Sequence, residues 1–304
     1  MSKNINIASK SHRNTIFVED AEVLKHQSYA DGQYVLRLRA SKCADRAEPG
    51  QFVHLQCDPN LPMRRPFSIM QASPSQESID IFYKILGTGT RLLSKRQQRE
   101  ILNVIGPIGQ PFVPHRKRPR PLLLGGGVGM PPMIFLAERL QADKHWRPFV
   151  ILGSEILFPF KPQPSRIIVP DMPEDVIAAM PLLEDSGIPS RLTSRQDFPG
   201  CFNGLITDLA RLWLERISTA ELAEIEIFAC GPHAMLRAVA ELAQDFELPC
   251  QMSLEEYMAC AVGGCAGCAV QVQTEQGLTM QRVCVDGPVF EAQAVFPRRI
   301  SPSG

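Results

Sequence analysis

Cysteine is the residue type with the most chemistry to offer in this 304-residue chain, and it is unevenly placed. Of nine cysteines, four lie within 25 residues: Cys260, Cys265, Cys268 and Cys284. The pattern C-x4-C-x2-C, with a fourth cysteine after fifteen more residues, is the plant-type spacing for a [2Fe–2S] cluster. Two irons and two sulfides need four thiolates, and the loop that carries them must turn backbone N–H groups toward sulfur. Ala261, Gly263, Gly264, Ala266 and Gly267 leave that approach open. Zinc is the competing metal, but zinc sites favour paired C-x2-C units, and only Cys265 and Cys268 form one. Four packing thiols are the bland alternative. The odd total argues against a closed disulfide framework.

Three other constellations could do chemistry. Leu122-Leu-Leu-Gly-Gly-Gly-Val-Gly-Met-Pro-Pro runs from an apolar strand through a glycine turn into a helix. It is not the strict G-x-G-x-x-G fingerprint. Gly126, Gly127 and Gly129 would still let backbone approach a pyrophosphate at a helix N-terminus, although glycine turns also serve helix packing. Cys230-Gly231-Pro232 ends a later strand and opens another helix, so both turns fall on the carboxyl edge of a parallel sheet, where ligands bind. For Cys230 alone a packed thiol is an equal reading. Arg65-Pro66-Phe67-Ser68 opens an early strand, followed by Phe82-Tyr83-Lys84 and by Gly89-Thr90 within Gly-Thr-Gly-Thr. An arginine, hydroxyls and free N–H groups could hold a phosphorylated planar cofactor. Taken singly, the aromatics read as strand packing and the cations as solvated surface.

The elements that must position these groups fall into blocks. Residues 1–14 are polar. From 15 to 116 short runs with no long helical period (33–40 and 51–56, which largely alternate, then 67–71, 79–85 and 101–105) predict an antiparallel barrel or sandwich. From 119 to 248 strands at 122–124, 149–152, 166–170 and 226–230 alternate with helices at 132–141, 174–185, 207–216 and 232–245. That alternation predicts a parallel sheet with helices on both faces. Residues 249–304 form a compact Cys/Gly-rich segment. Lys plus Arg and Asp plus Glu both total 32, so no global field draws in nucleic acid. The uncharged stretch 121–137 is too short for a membrane span and is broken by glycines and Pro131-Pro132. The first residues lack the apolar core of a secretion signal, which places the chain in the cytoplasm as an expectation.

In this order the pieces resemble a known family. Arg65-Pro-Phe-Ser-Ile, Gly125-Gly-Gly-Val-Gly-Met-Pro-Pro, Cys230-Gly-Pro, the cysteine cluster and Val283-Cys-Val-Asp-Gly-Pro-Val-Phe290 look like the electron-transfer subunits of NAD-linked, multi-subunit dihydroorotate dehydrogenase. These belong to the wider ferredoxin-NADP reductase superfamily, and the resemblance covers about 16–296. It implies a mixed β and α/β fold: an antiparallel β-barrel FAD domain, a Rossmann-like parallel α/β nucleotide domain and a small C-terminal [2Fe–2S] domain. It implies FAD against Arg65–Ser68, Phe82–Lys84, Gly89 and Thr90. It also implies NAD(P) on the Gly126–Gly129 loop with Cys230 near the nicotinamide, and the cluster on Cys260, Cys265, Cys268 and Cys284. The resemblance further implies a hetero-oligomer with a catalytic dihydroorotate dehydrogenase-type flavoprotein, because no group here suits orotate chemistry.

Two departures stand out. Where the family often has a basic residue after the second nucleotide-domain strand, this chain reads Gly153-Ser154-Glu155. Where it tends to have an acidic pair and glycine, this chain reads Thr193-Ser194-Arg195-Gln196. They leave open NAD against NADP, and a non-enzymatic cluster-bearing sensor as a rival reading; a second rival, a reductase component for an oxygenase, hydrogenase or sulfite reductase, stays open because the sequence features hardly separate redox partners. Cys43, Cys57, Cys201 and Cys250 read as packing thiols.

Overall fold

A computed structural model describes residues 16–298; the polar 1–14 segment lies outside them. Six strands close a barrel: β1 (Phe17–Tyr29), β2 (Gln33–Arg39), β3 (Phe52–Leu55), β4 (Arg65–Ser73), β5 (Ser78–Lys84) and β6 (Ile101–Ile108), in the order β1-β2-β5-β4-β3-β6. Every pairing in it is antiparallel. The period-two alternation sends Leu36, Leu38, Val53, Leu55, Ile79, Ile81 and Val104 into one core. Each such side chain, fully removed from water, contributes roughly 1.5–3 kcal/mol. Helix α1 (Ser41–Arg46) packs Cys43 and Ala44 into that core, and α2 (Thr88–Leu93) follows β5.

The second unit runs β7 (Arg120–Gly126), α3 (Met130–Gln141), β8 (Phe149–Gly153), the short strands β9 (Gln163–Pro164) and β10 (Ala178–Ala179), and α4 (Pro181–Asp185). It continues through β11 (Ser190–Ser194), β12 (Phe202–Asn203), α5 (Ile206–Leu214), α6 (Thr219–Leu222), β13 (Ile225–Cys230), α7 (His233–Asp245) and β14 (Cys250–Ser253). Strands β7, β8, β11, β12, β13 and β14 pair in parallel. The C-terminal segment adds a hairpin, β15 (Ala269–Thr274) with β16 (Gly277–Arg282), then β17 (Val289–Glu291) and α8 (Ala292–Val295). Strand β17 returns antiparallel to β14, so the sheet reads β12-β11-β8-β7-β13-β14-β17. Cys268, Val272, Val283, Cys284 and Phe290 share one apolar core with β7, β13 and α7.

Two predicted elements need correction. Residues 166–170 form no strand, and Ile168 is 87 % exposed. The strand beside β8 is β11, in which all five positions are buried. The predicted helix at 174–185 shrinks to α4. Pro181 occupies its first turn, and upstream Ala178 and Ala179 pair with β9 instead.

Candidate functional site

A cavity of about 990 Å³ opens where the barrel, the glycine turn and the C-terminal segment meet. All nine predicted barrel residues line it: Arg65, Pro66, Phe67 and Ser68 from β4, Phe82, Tyr83 and Lys84 from the end of β5, and Gly89 and Thr90 from α2. Val128 enters from the glycine turn, and Ser253 to Ala259 and Gly267 close the far wall.

The local chemistry fixes this wall. The Arg65 guanidinium donates to the Met63 and Arg64 carbonyls, both at 2.9 Å. A Cβ on Gly89 would lie 3.0 Å from Arg65 Nε, so glycine lets α2 lie against that arginine. Thr90 Oγ1 accepts from the Leu86 and Gly87 N–H groups at 3.0 and 3.2 Å and shapes the turn. Tyr83 serves mainly as packing: its ring stacks on Tyr34 at 5.3 Å, and its hydroxyl is hydrogen-bonded to His26 Nε2 at 2.9 Å.

The two turns predicted on the carboxyl edge do meet. Gly125 is in register with Cys230 on the neighbouring strand. A Cβ on Gly129 would lie 2.3 Å from the Cys230 carbonyl carbon and oxygen, and one on Gly126 would lie 2.3 Å from Met235 Sδ. Gly127 has φ +55 and open space where a side chain would project. Gly231 and Pro232 follow at the start of α7. Cys230 is wholly buried; burial first, and then the nearby Glu255, raise its thiol pKa well above the usual range, so it stays protonated.

The four clustered cysteines occupy one loop system. Cys268 and Cys284 are buried with sulfurs 3.3 Å apart, far outside disulfide length. The Cys265 N–H points at Cys260 Sγ and the Gly267 N–H at Cys265 Sγ, each at 3.4 Å. Burial alone would raise the Cys260 pKa. Hydrogen bonds from Val262, Cys265 and Gly264 outweigh it and bring the thiol down to about 7. Burial and Cys268 push Cys284 up to about 12. Ala261 and Ala266 carry positive φ, and Gly263 sits at +83 with no room for a side chain beside Val285. Among the described residues no three His, Cys, Asp or Glu side chains surround a single point that one ion could take. Four thiols spread over a loop, with N–H groups turned to sulfur, are the donor set a multi-atom iron–sulfur group requires.

Comparison with known proteins agrees with this layout. Residues 255–296 match the iron-sulfur cluster binding domain of dihydroorotate dehydrogenase B, and residues 20–118 match an FAD-binding domain. The dihydroorotate dehydrogenase B (NAD(+)) electron transfer subunit of Caldanaerobacter subterraneus is 31% identical over 276 residues, covering 91% of this chain and 97% of the relative. That of Desulforamulus reducens is 29% identical, covering 91% and 98%. The chain belongs to the dihydroorotate dehydrogenase B electron transfer subunit family. A solved chain of an NADH-dependent reduced ferredoxin-NADP oxidoreductase shares its fold, with a TM-score of 0.73 at 24% identity over 91% of this chain and 90% of that one. The ferredoxin reductase of carbazole 1,9a-dioxygenase is more distant, with a TM-score of 0.59 at 20% identity over 77% and 67%.

For a member of this electron transfer family, sequence reasoning missed one wall of the cavity. Ser253 to Ala259 carry no motif of their own, yet they bring Glu255 to the site. Water reaches Glu255 through the cavity, but protein crowds it on the other sides, and that desolvation raises its pKa to about 7. Behind β4 lies His54, 1% exposed, with neither ring nitrogen hydrogen-bonded among the described residues. Burial, then the charge of Arg64, lowers its pKa to about 4. Among the described residues no helix is long and apolar enough to cross a membrane.

Proposed function

We propose that this chain carries electrons between a catalytic dihydroorotate-oxidising partner and a nicotinamide dinucleotide, in a cytoplasmic hetero-oligomer. The single observation that carries this reading is the shared cavity: its walls come from the barrel, the glycine turn and the segment leading into the cysteine loop. Bound there, FAD would exchange hydride with NAD(P)H, and a [2Fe–2S] cluster on Cys260, Cys265, Cys268 and Cys284 would relay single electrons.

In this reading three units cooperate: the barrel (15–116) holds FAD, the α/β unit (119–248) holds the nucleotide, and 249–304 holds the cluster. The Arg65 guanidinium offers charge-assisted hydrogen bonds to the FAD phosphates, with the Gly89-Thr90 turn beside it. Pro66, Phe67, Ser68, Phe82, Tyr83 and Lys84 flank the planar ring system. Gly126, Gly127 and Gly129 admit the dinucleotide pyrophosphate, and Cys230, Gly231 and Pro232 form the floor under the nicotinamide. Cys230 contributes a small neutral surface, because burial keeps its proton on sulfur. Glu255, with its raised pKa, can hold or release a proton beside the ring near neutral pH. Among the described residues none is a candidate for dihydroorotate oxidation, which the partner subunit would perform.

The test is anaerobic purification with iron, sulfide and flavin analysis, then co-expression with a dihydroorotate-oxidising flavoprotein. Dihydroorotate-dependent reduction of NAD(P)+ by the complex and not by either part is expected. A chain that binds no flavin, or that supports electron transfer only with an oxygenase, overturns the reading.

A further inference from the structure

The carboxyl edge of the parallel sheet has two halves. The glycine turn after β7 lies at the point where strand order reverses, between β8 and β13. An extended dinucleotide laid across such an edge centres its pyrophosphate there and sends its two nucleosides opposite ways. The cavity, Cys230 and Glu255 all lie on the β13–β14 side, so the nicotinamide half belongs there. The adenosine half then falls over the ends of β8 and β11.

Those ends carry Glu155 and Ser194-Arg195-Gln196. The Ser154 N–H donates to the Thr193 carbonyl at 3.1 Å and holds the two loops together. Ser194, buried at the last position of β11, accepts the Gln196 N–H on its Oγ at 3.0 Å and turns the chain so that Arg195 projects outward. The Arg195 guanidinium donates to Glu155 Oε1, and Gln196 Nε2 reaches the Glu155 carbonyl at 3.3 Å. Both charged side chains are more than half exposed.

What sits at this place decides which nucleotide is read. A carboxylate here accepts hydrogen bonds from the ribose hydroxyls and repels a phosphate; an arginine favours a 2′-phosphate. This chain carries no carboxylate at 193–196: it reads Thr193-Ser194-Arg195-Gln196. Glu155 shows where Arg195 holds an oxyanion. An exposed carboxylate–guanidinium pair contributes little stability, so a phosphate can take the place of Glu155 at small cost.

We infer that Arg195, presented by the Ser194 turn, reads the 2′ position of the adenosine ribose and selects NADP(H) over NAD(H), with Glu155 as the anion it releases. The inference rests on the proposed nucleotide site and adds its specificity.

Calorimetric titration of the loaded protein with 2′,5′-ADP, 5′-AMP, NADP+ and NAD+ tests it without electron transfer. The 2′-phosphorylated member of each pair should bind about tenfold tighter or more, as one charge-assisted hydrogen bond to phosphate provides. Arg195→Asp should abolish that preference and leave 5′-AMP binding within about twofold of the parent. Glu155→Gln should keep or strengthen the preference. Equal binding within each pair, or a preference that survives Arg195→Asp, overturns the inference while leaving the nucleotide site standing. If none of the four binds, the nucleotide site itself is refuted, and the inference with it.

Discussion

Replacing Gly129 by alanine isolates the contact that holds the two ligand-edge turns together. The new Cβ would lie 2.3 Å from the Cys230 carbonyl carbon and oxygen and 2.5 Å from the Gly231 nitrogen. Ordinary contact needs about 3.5 Å, so the turns after β7 and β13 must part by about 1 Å. The opposing atoms are backbone of a hydrogen-bonded strand, so no flexible side-chain end can give way. Gly129 has an ordinary φ of −86, so the cost is steric and not conformational. Overpacking of this kind costs about 3 kcal/mol, the upper end of its usual range. That corresponds to roughly 10 °C in melting temperature for a unit of this size. Gly127→Ala is the control: its Cβ meets open space, and only the left-handed backbone opposes it, at roughly 1 kcal/mol. Thermal melts of both variants, followed by dinucleotide titration, provide the assay. Gly129→Ala should melt lower than Gly127→Ala and lose about a hundredfold in dinucleotide affinity. Equal melting temperatures would refute the steric argument.

Other outcomes follow from the same geometry. Serine at Cys260, Cys265, Cys268 or Cys284 should abolish bound iron and sulfide in chemical analysis, whereas serine at Cys43 or Cys57 should leave both intact. Arg65→Ala should weaken FAD binding by about 10–100-fold in a flavin fluorescence titration without unfolding the barrel, because among the described residues its guanidinium donates to just two neighbouring carbonyls. His54 titrates near 4 when folded and near 6.5 when unfolded. The unfolded chain therefore binds the extra proton between those values, and stability rises with pH across that window by about 3 kcal/mol. Denaturant melts at pH 5 and 7 should show about 2 kcal/mol of that rise, and His54→Leu should flatten it.

The barrel was legible because many short runs, such as the alternating Leu36-Arg37-Leu38-Arg39 of β2, lie between turn residues with no long helical period, and the cysteine loop because ligand spacing is local. The polar strand β11 was not. Ser190, Arg191, Thr193 and Ser194 offer no apolar run that would mark a strand, yet all are buried. Arg191 is tolerated there because its guanidinium donates to the Ser190 and Ile167 carbonyls, the latter 24 residues away. Ile167-Ile168-Val169 drew the strand prediction instead, but a run of apolar residues forms a strand only if a neighbour offers its edge, and among the described residues none does. The cavity wall at 253–259 was hidden for a related reason: Glu255 becomes notable only when β14 brings it beside Cys230.

The walls of the cavity have an order of appearance. Gly50 and Pro288, both on its lining, stand at nearly opposite ends of the described chain. During synthesis the barrel can fold first, since its six strands are complete by Ile108. The barrel face proposed for FAD then waits, open to water, until the glycine turn and finally 253–288 leave the ribosome. Stable FAD retention is therefore a late event in the life of each molecule. A chain truncated before β14 would fold its barrel and hold flavin loosely, so flavin content reports on complete synthesis as much as on flavin supply.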